Sequence, residues 1–268
     1  MINQKIVFLG AGAMAEAIVR GLVDKAVIAP TQLYMKNHSD HVRLQTLHER
    51  YGVQIASDAD IVSADIVVLA MKPKDVATVL QTHTLSPHTA VLSVLAGVSM
   101  ATIEKYAGER PIARLMPNTS ATIGLSASGA TFNRAVSPSL QQDFIQLFEA
   151  IGTVEIVTEQ QMHAVTALSG SGPAYFYYFL ECYEKAGVAL GLDAETARRL
   201  MLSTMAGAAE MLKRTGEDPA VLRENITSPQ GTTFEALEVL RKYDVARIIE
   251  ESTQANADRS KTFEKLYD

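Results

Sequence analysis

Five residues into the chain an apolar run, Ile6 to Leu9, breaks into Gly10-Ala11-Gly12-Ala13-Met14-Ala15, and Ala15, Ile18, Val19 and Leu22 then recur at helical spacing. Strand, glycine turn and helix in that order leave few folds open. The pattern G-x-G-x-x-A directly after a strand marks the first βα unit of a Rossmann sheet. Gly10 permits the tight turn, Gly12 lets a pyrophosphate approach the backbone, and Ala15 is small enough for the helix to pack on the strand. A glycine turn made for packing alone predicts the same fold without the ligand.

The same grammar runs on to residue 157. Further strands are expected at 32–35, 53–55, 66–69, 91–95, 112–116, 126–132 and 154–157, with helical stretches between them. Ser137-Pro138 opens one of these helices as cap and first residue. Such alternation implies a largely parallel, doubly wound sheet. From Thr158 the pattern changes. Thr158-Glu159-Gln160-Gln161 reads as a capping box, and only helices follow, punctuated by Gly170, Gly172 and Pro173, by Gly191-Leu192-Asp193, by Gly216 with Asp218-Pro219, and by a loop at 228–233. The expected fold class is α/β: an N-terminal Rossmann domain over residues 1–158, then an all-helical dimerisation domain over 159–268. Tyr175-Phe176-Tyr177-Tyr178-Phe179 is apolar nearly all round, so its helix is expected to be buried, between two copies of the chain in a homodimer.

A net charge of −6 and a pI near 5.6, with no Lys/Arg run, argue against a nucleic-acid partner. The single cysteine, Cys182, excludes an internal disulfide, fits a reducing compartment, and is read as a core residue from its aromatic surroundings. The first apolar run is a strand rather than a signal peptide. Residues 164–180 carry no charge, but glycines and a proline break them and they are short for a membrane span. A cytoplasmic protein without a metal site is expected.

The second strand ends in Met35-Lys36-Asn37-His38-Ser39. Sites that prefer NAD usually carry Asp or Glu there to hold the ribose diol. A cation, an amide and a hydroxyl suit a 2′-phosphate better, so NADPH is expected over NADH, and Asp40 is left to cap the next helix. Lys72 follows the strand at 66–69 on the edge where such sheets bind ligands, either as a cofactor contact or as a solvated lysine. Asn118, at another strand end, is either a donor to the ribose or nicotinamide or a turn residue. Residues 228–235, Ser-Pro-Gln-Gly-Thr-Thr-Phe-Glu, put two hydroxyls and unpaired N–H groups at a helix start. That is either an ordinary capped start or a site for a small carboxylate.

Taken together these motifs resemble the pyrroline-5-carboxylate reductases over essentially the whole chain. The resemblance rests on Gly10 to Met14, Lys72-Pro73, Ala96-Gly97-Val98, Met116-Pro117-Asn118-Thr119, Leu168-Ser169-Gly170-Ser171-Gly172-Pro173-Ala174-Tyr175 and Ser228-Pro229-Gln230-Gly231-Thr232-Thr233, in that order and spacing. It implies reduction of 1-pyrroline-5-carboxylate to L-proline by NADPH or NADH, the last step of proline biosynthesis. It also implies a helical domain that interlocks as a homodimer, in some members within a ring of dimers. It lays the cofactor over Leu9, Gly10, Ala11, Gly12, Ala13 and Met14, puts Asn37 and Ser39 beside the adenosine ribose and Ser57 toward the adenine. Ala70, Met71, Lys72, Leu95 and Ala96 then line the nicotinamide side. Ser228, Gly231 and Thr232 belong to the loop that takes the substrate carboxylate through backbone N–H groups. Asn225 lies near the substrate, and Thr233 is the catalytic residue that bonds the ring nitrogen.

Two departures from the family pattern stand out. Gln230 replaces a common glycine, and if that position needs positive φ it is strained by about 1 kcal/mol or more. Ser120 replaces a common proline. Two other readings remain. A β-hydroxyacid dehydrogenase on the same plan needs a lysine on the first long helix of the second domain, and residues 171–180 contain none. A non-catalytic nucleotide-binding paralogue is favoured by Gln230 alone.

Overall fold

A computed structural model describes residues 2–267. Eight strands form one sheet: β1 (Ile6–Leu9), β2 (Leu33–Lys36), β3 (Gln54–Ile55), β4 (Ile66–Leu69), β5 (Ala90–Ser93), β6 (Ile112–Met116), β7 (Ser126–Phe132) and β8 (Gly152–Ile156). Their order is β3-β2-β1-β4-β5-β6-β7-β8. All neighbours pair in parallel except β6 and β7. The exception follows from the linker. Only a short 3-10 segment, Thr119–Ile123, joins β6 to β7, and a parallel pairing would need a crossover of a dozen or more residues. The other strands are separated by helices α1 (Ala13–Asp24), α2 (His41–Tyr51), α3 (Asp58–Val62), α4 (Val76–Thr82), α5 (Met100–Ala107) and α6 (Pro138–Glu149).

The strands at 6–9, 66–69, 112–116 and 126–132 lie where the sequence places them, and the rest shift by one or two residues. β2 starts later because Pro30–Gln32 form a 3-10 turn. β5 stops at Ser93 because the chain turns toward Gly97, whose φ is +68°. Alternation along each strand feeds two cores. Ile6 and Phe8 pack on one side with Ile18, Leu22, Phe144 and Phe148, while Val7 and Leu9 pack on the other with Leu80 and Ile103.

Beyond β8 the chain is helical: α7 (Met162–Val165), a π-helical turn at Thr166–Gly170, α8 (Gly172–Ala189), α9 (Ala194–Thr215), α10 (Pro219–Asn225), α11 (Thr232–Lys242) and α12 (Val245–Tyr267). Thr158 and Gln161 do form a capping box. The chain divides into two compact units, one holding the residues up to Pro173 and from Gln254 onward, the other Ala174–Thr253. In the first unit the end of α12 is held by side chains. Ser260 Oγ lies 3.0 Å from Nδ1 of His163, and Glu264 is 3.6 Å from the other ring nitrogen and 3.9 Å from Arg114. His163 is thus held between Ser260 and Glu264 of α12.

In the second unit one expectation fails for the chain alone. Phe176, Tyr177 and Tyr178 are not buried but 59%, 66% and 65% exposed, and Cys182 beside them is exposed as well, not in a core. A helix apolar on all sides finds cover from its own unit on only part of its circumference. Among the described residues no helix is long and apolar enough to cross a membrane, and no group of side chains is placed to hold a metal ion.

Candidate active site

A groove of about 1120 Å³ opens at the carboxyl ends of β1, β2 and β4. Its floor is the turn between β1 and α1. Gly10 has φ +117° and donates its N–H to the Lys36 carbonyl at 2.9 Å, and a Cβ there would overlap the Ala70 carbonyl. Gly12 caps α1 with extended backbone and no side-chain hydrogen bond, and a Cβ on it would meet nothing within 4 Å. The first N–H groups of α1 therefore face open space over bare backbone, which is what a pyrophosphate needs. Ala15 is fully buried against the sheet. The donor set and the bare backbone fit a dinucleotide.

The groove brings together Leu9, Gly10, Ala11, Gly12, Ala13, Met14, Asn37, Ser39, Ala70, Met71 and Lys72. It does not include Ser57, Leu95, Ala96 or Asn118. Ser57 caps α3, accepting from the Asp60 N–H and donating its own N–H to the Asp60 carboxylate at 2.8 Å. Leu95 and Ala96 follow β5, the first buried and the second exposed. Asn118 is buried, accepts from the Ser120 N–H and donates to the Ser169 carbonyl, both at 3.0 Å. Asp40 caps α2 as expected, accepting the Arg43 N–H at 2.8 Å.

Several groove residues have no counterpart in the sequence reading, among them Arg43, Thr78, Thr82 and His83. They lie on α2 and along α4, and nothing in their local pattern separates them from other helix-surface residues. Lys36 reaches Asp58 at 2.5 Å, which holds that carboxyl below its ordinary value. His83 lies 3.6 Å from the same carboxylate. Burial and the Lys36 charge lower its pKa, against the pull of Asp58. Glu16 accepts from Arg43, from Arg50 at 3.0 Å and from Tyr51 at 2.9 Å. Burial raises its pKa, but the hydrogen bonds and the two guanidinium charges outweigh that and keep it low.

In the second unit, residues 228–233 form a tight turn into α11. The Gly231 N–H donates to the Ser228 carbonyl at 3.0 Å, Pro229 sits at the second position and Gln230 has φ +58°. Proline there with positive φ next is a type II turn. A Cβ on Gly231 would overlap the Ser228 hydroxyl. Gly231 caps α11 with no side-chain hydrogen bond, so the N–H groups of Thr232 and Thr233 have no partner within the helix. Helices α2, α3, α5, α6, α9 and α10 all carry an Asp or Ser side-chain cap. The two helices with a bare glycine cap, α1 and α11, are the two whose starts the sequence assigns to ligands.

The comparisons with known proteins agree with this arrangement. Residues 159–263 match a family model described as pyrroline-5-carboxylate reductase dimerisation, and residues 5–97 match one described as NADP oxidoreductase coenzyme F420-dependent. The chain is 41% identical over 264 residues to pyrroline-5-carboxylate reductase 1 of Bacillus spizizenii, covering 97% of this chain and 89% of that one. It is 36% identical over 262 residues to the pyrroline-5-carboxylate reductase of Staphylococcus aureus, covering 96% of each. Among solved structures, the pyrroline carboxylate reductase of Plasmodium falciparum with NADP bound superposes with a TM-score of 0.88 at 28% identity, over 98% of this chain and 99% of that one. The enzyme from Coxiella burnetii gives 0.88 at 32% identity, with the same coverage. With a strand-turn-helix cradle for a dinucleotide, an uncapped helix start in the second unit and relatives of this identity over nearly its full length, the chain belongs to the pyrroline-5-carboxylate reductase family.

Proposed function

We propose that this protein reduces 1-pyrroline-5-carboxylate to L-proline with NADPH in preference to NADH, as the last step of proline biosynthesis. The observation that carries the reading is the pair of glycine-capped helices. The start of α1 offers N–H groups over bare backbone for the pyrophosphate, with Asn37 and Ser39 beside the adenosine ribose. The start of α11 offers the N–H groups of Thr232 and Thr233 for the substrate carboxylate. Thr233 Oγ1 accepts a hydrogen bond from the protonated ring nitrogen, which favours the iminium form. Asn225 and Ser228 shape the pocket around the ring. Ala70, Met71, Lys72, Leu95, Ala96 and Asn118 flank the nicotinamide, and Ser57 lies toward the adenine. When bound, the cofactor supplies the hydride that the imine carbon accepts.

The functional division falls after residue 158, with cofactor binding before it and substrate binding and self-association after it. The protein acts in the cytoplasm as a homodimer built on its C-terminal helices, assembled further as a ring of dimers. The test of reaction and site together is cofactor oxidation with 1-pyrroline-5-carboxylate, wild type beside Thr233→Ala. Loss of this one contact should lower kcat/KM by roughly 10–1000-fold. Unchanged kinetics would refute the role of Thr233, and an idle wild type would refute the reaction.

A further inference from the structure

We infer that Arg43 is the specificity-determining residue for the cofactor's 2′-phosphate and that Glu16 is its positioning residue. The inference rests on the proposed preference for NADPH and names the group that produces it.

The sequence offers Lys36 for this task, at the end of β2. In the folded chain Lys36 is paired with Asp58 at 2.5 Å, so that pair presents no net charge. Arg43 lines the same groove as Asn37, His38 and Ser39. Its guanidinium is held on two edges. Nε donates to the Ala11 carbonyl at 3.0 Å, inside the glycine turn, and Nη2 donates to Glu16. Nη1 has no partner among the described residues. Glu16 is shared with Arg50 at 3.0 Å, so two guanidiniums meet one carboxylate and the cluster keeps one positive charge. Asp40, also in the groove, accepts the Arg43 backbone N–H at 2.8 Å and keeps its negative charge, so the phosphate is met by the free edge of the Arg43 fork rather than by a bare excess of cations.

A planar guanidinium anchored on two sides and free on the third suits a phosphate dianion better than a mobile ammonium does. A ribose bearing only hydroxyls gains little from it. Glu16 does not reach the ligand in this scheme. It fixes the plane of Arg43, and Tyr51 in turn orients Glu16 by donating to it at 2.9 Å.

The experiment is calorimetric titration of the full-length protein with NADP+ and with NAD+, for wild type, Arg43→Gln, Arg43→Lys and Glu16→Gln. Arg43→Gln should weaken NADP+ binding by roughly 10- to 100-fold while NAD+ binding holds, the loss of one charge-assisted contact. Arg43→Lys should fall between it and wild type, because charge is kept and the fork is lost. Glu16→Gln should lose part of the NADP+ preference and leave NAD+ binding unchanged. Unchanged NAD+ binding is also the control for folding. A wild type without preference for NADP+ would sink the NADPH reading itself. A preference that survives Arg43→Gln would overturn the role of Arg43 alone. Parallel loss of both dinucleotides would do the same, leaving Arg43 only as a brace for the glycine turn. A Lys36→Gln variant that abolishes the preference would transfer the role to Lys36.

Discussion

Gln230 occupies the third position of a type II turn at φ +58°, where only glycine sits without cost. A non-glycine residue there bears about 1 kcal/mol or more of strain, against roughly 0.5 kcal/mol of extra chain entropy that glycine would bring. Gln230→Gly should therefore gain about 0.5–1 kcal/mol in denaturant unfolding, and Gln230→Ala should gain nothing. The neighbouring Gly231 cannot be replaced so easily. In Gly231→Ala the new methyl group would overlap the Ser228 hydroxyl and distort the turn that presents the Thr232 and Thr233 N–H groups. Under the proposed function this variant should raise KM for 1-pyrroline-5-carboxylate by roughly tenfold or more and leave NADP+ affinity alone, which steady-state kinetics and dinucleotide titration would separate.

Helix α3 shows how a short element depends on its first turn. Five residues cannot hold a helix by propensity, so the Ser57–Asp60 capping box and the ion pair from Lys5 to Asp60 at 2.7 Å carry it. Hydrogen bonds from Lys5 and then from Ser57 bring the Asp60 carboxyl down to about 2 from an ordinary 3.8. The folded pKa is the lower one, so this stability is complete above the unfolded value and drains as pH falls from about 4 through about 2. Asp60→Asn should cost about 1 kcal/mol at neutral pH. It should also flatten the fall of Tm with acid over that window, as thermal melts at stepped pH would record. The β6–β7 pairing has an equally local cause: a 3-10 linker with no room for a crossover turns one strand of an otherwise parallel sheet around.

For the molecule as a whole, the exposed aromatic run on α8 is the feature a lone chain leaves uncovered. Phe176, Tyr177 and Tyr178 belong to the segment that matches the dimerisation family. Aromatic side chains of this kind anchor interfaces by excluding water from large flat surfaces. Light scattering at micromolar concentration should give a mass of two chains or a multiple of two. The double variant Tyr177→Glu with Tyr178→Glu should shift it toward the monomer, because burying two unpaired carboxylates opposes association.

Much of this was legible before any fold was in hand, and the reason is range. Gly10 and Gly12 announce a nucleotide turn because φ and the space over a backbone are properties of a few successive residues, and the strands at 6–9 and 66–69 are apolar runs that read directly. The Ser228–Thr233 turn is local in the same way, down to the strain at Gln230. Arg43 was invisible because its anchors, Ala11 and Glu16, lie 32 and 27 residues away, and no pattern within α2 marks the one arginine that faces the groove. The partner of Lys36 was hidden for the same reason, since Asp58 lies 22 residues on. The aromatic run on α8 reads as buried in the sequence, and the single chain leaves much of it exposed. Local conformation follows from neighbouring residues. The pairing of charges and the cover of apolar faces follow from which distant segments, or which second copy, folding brings alongside.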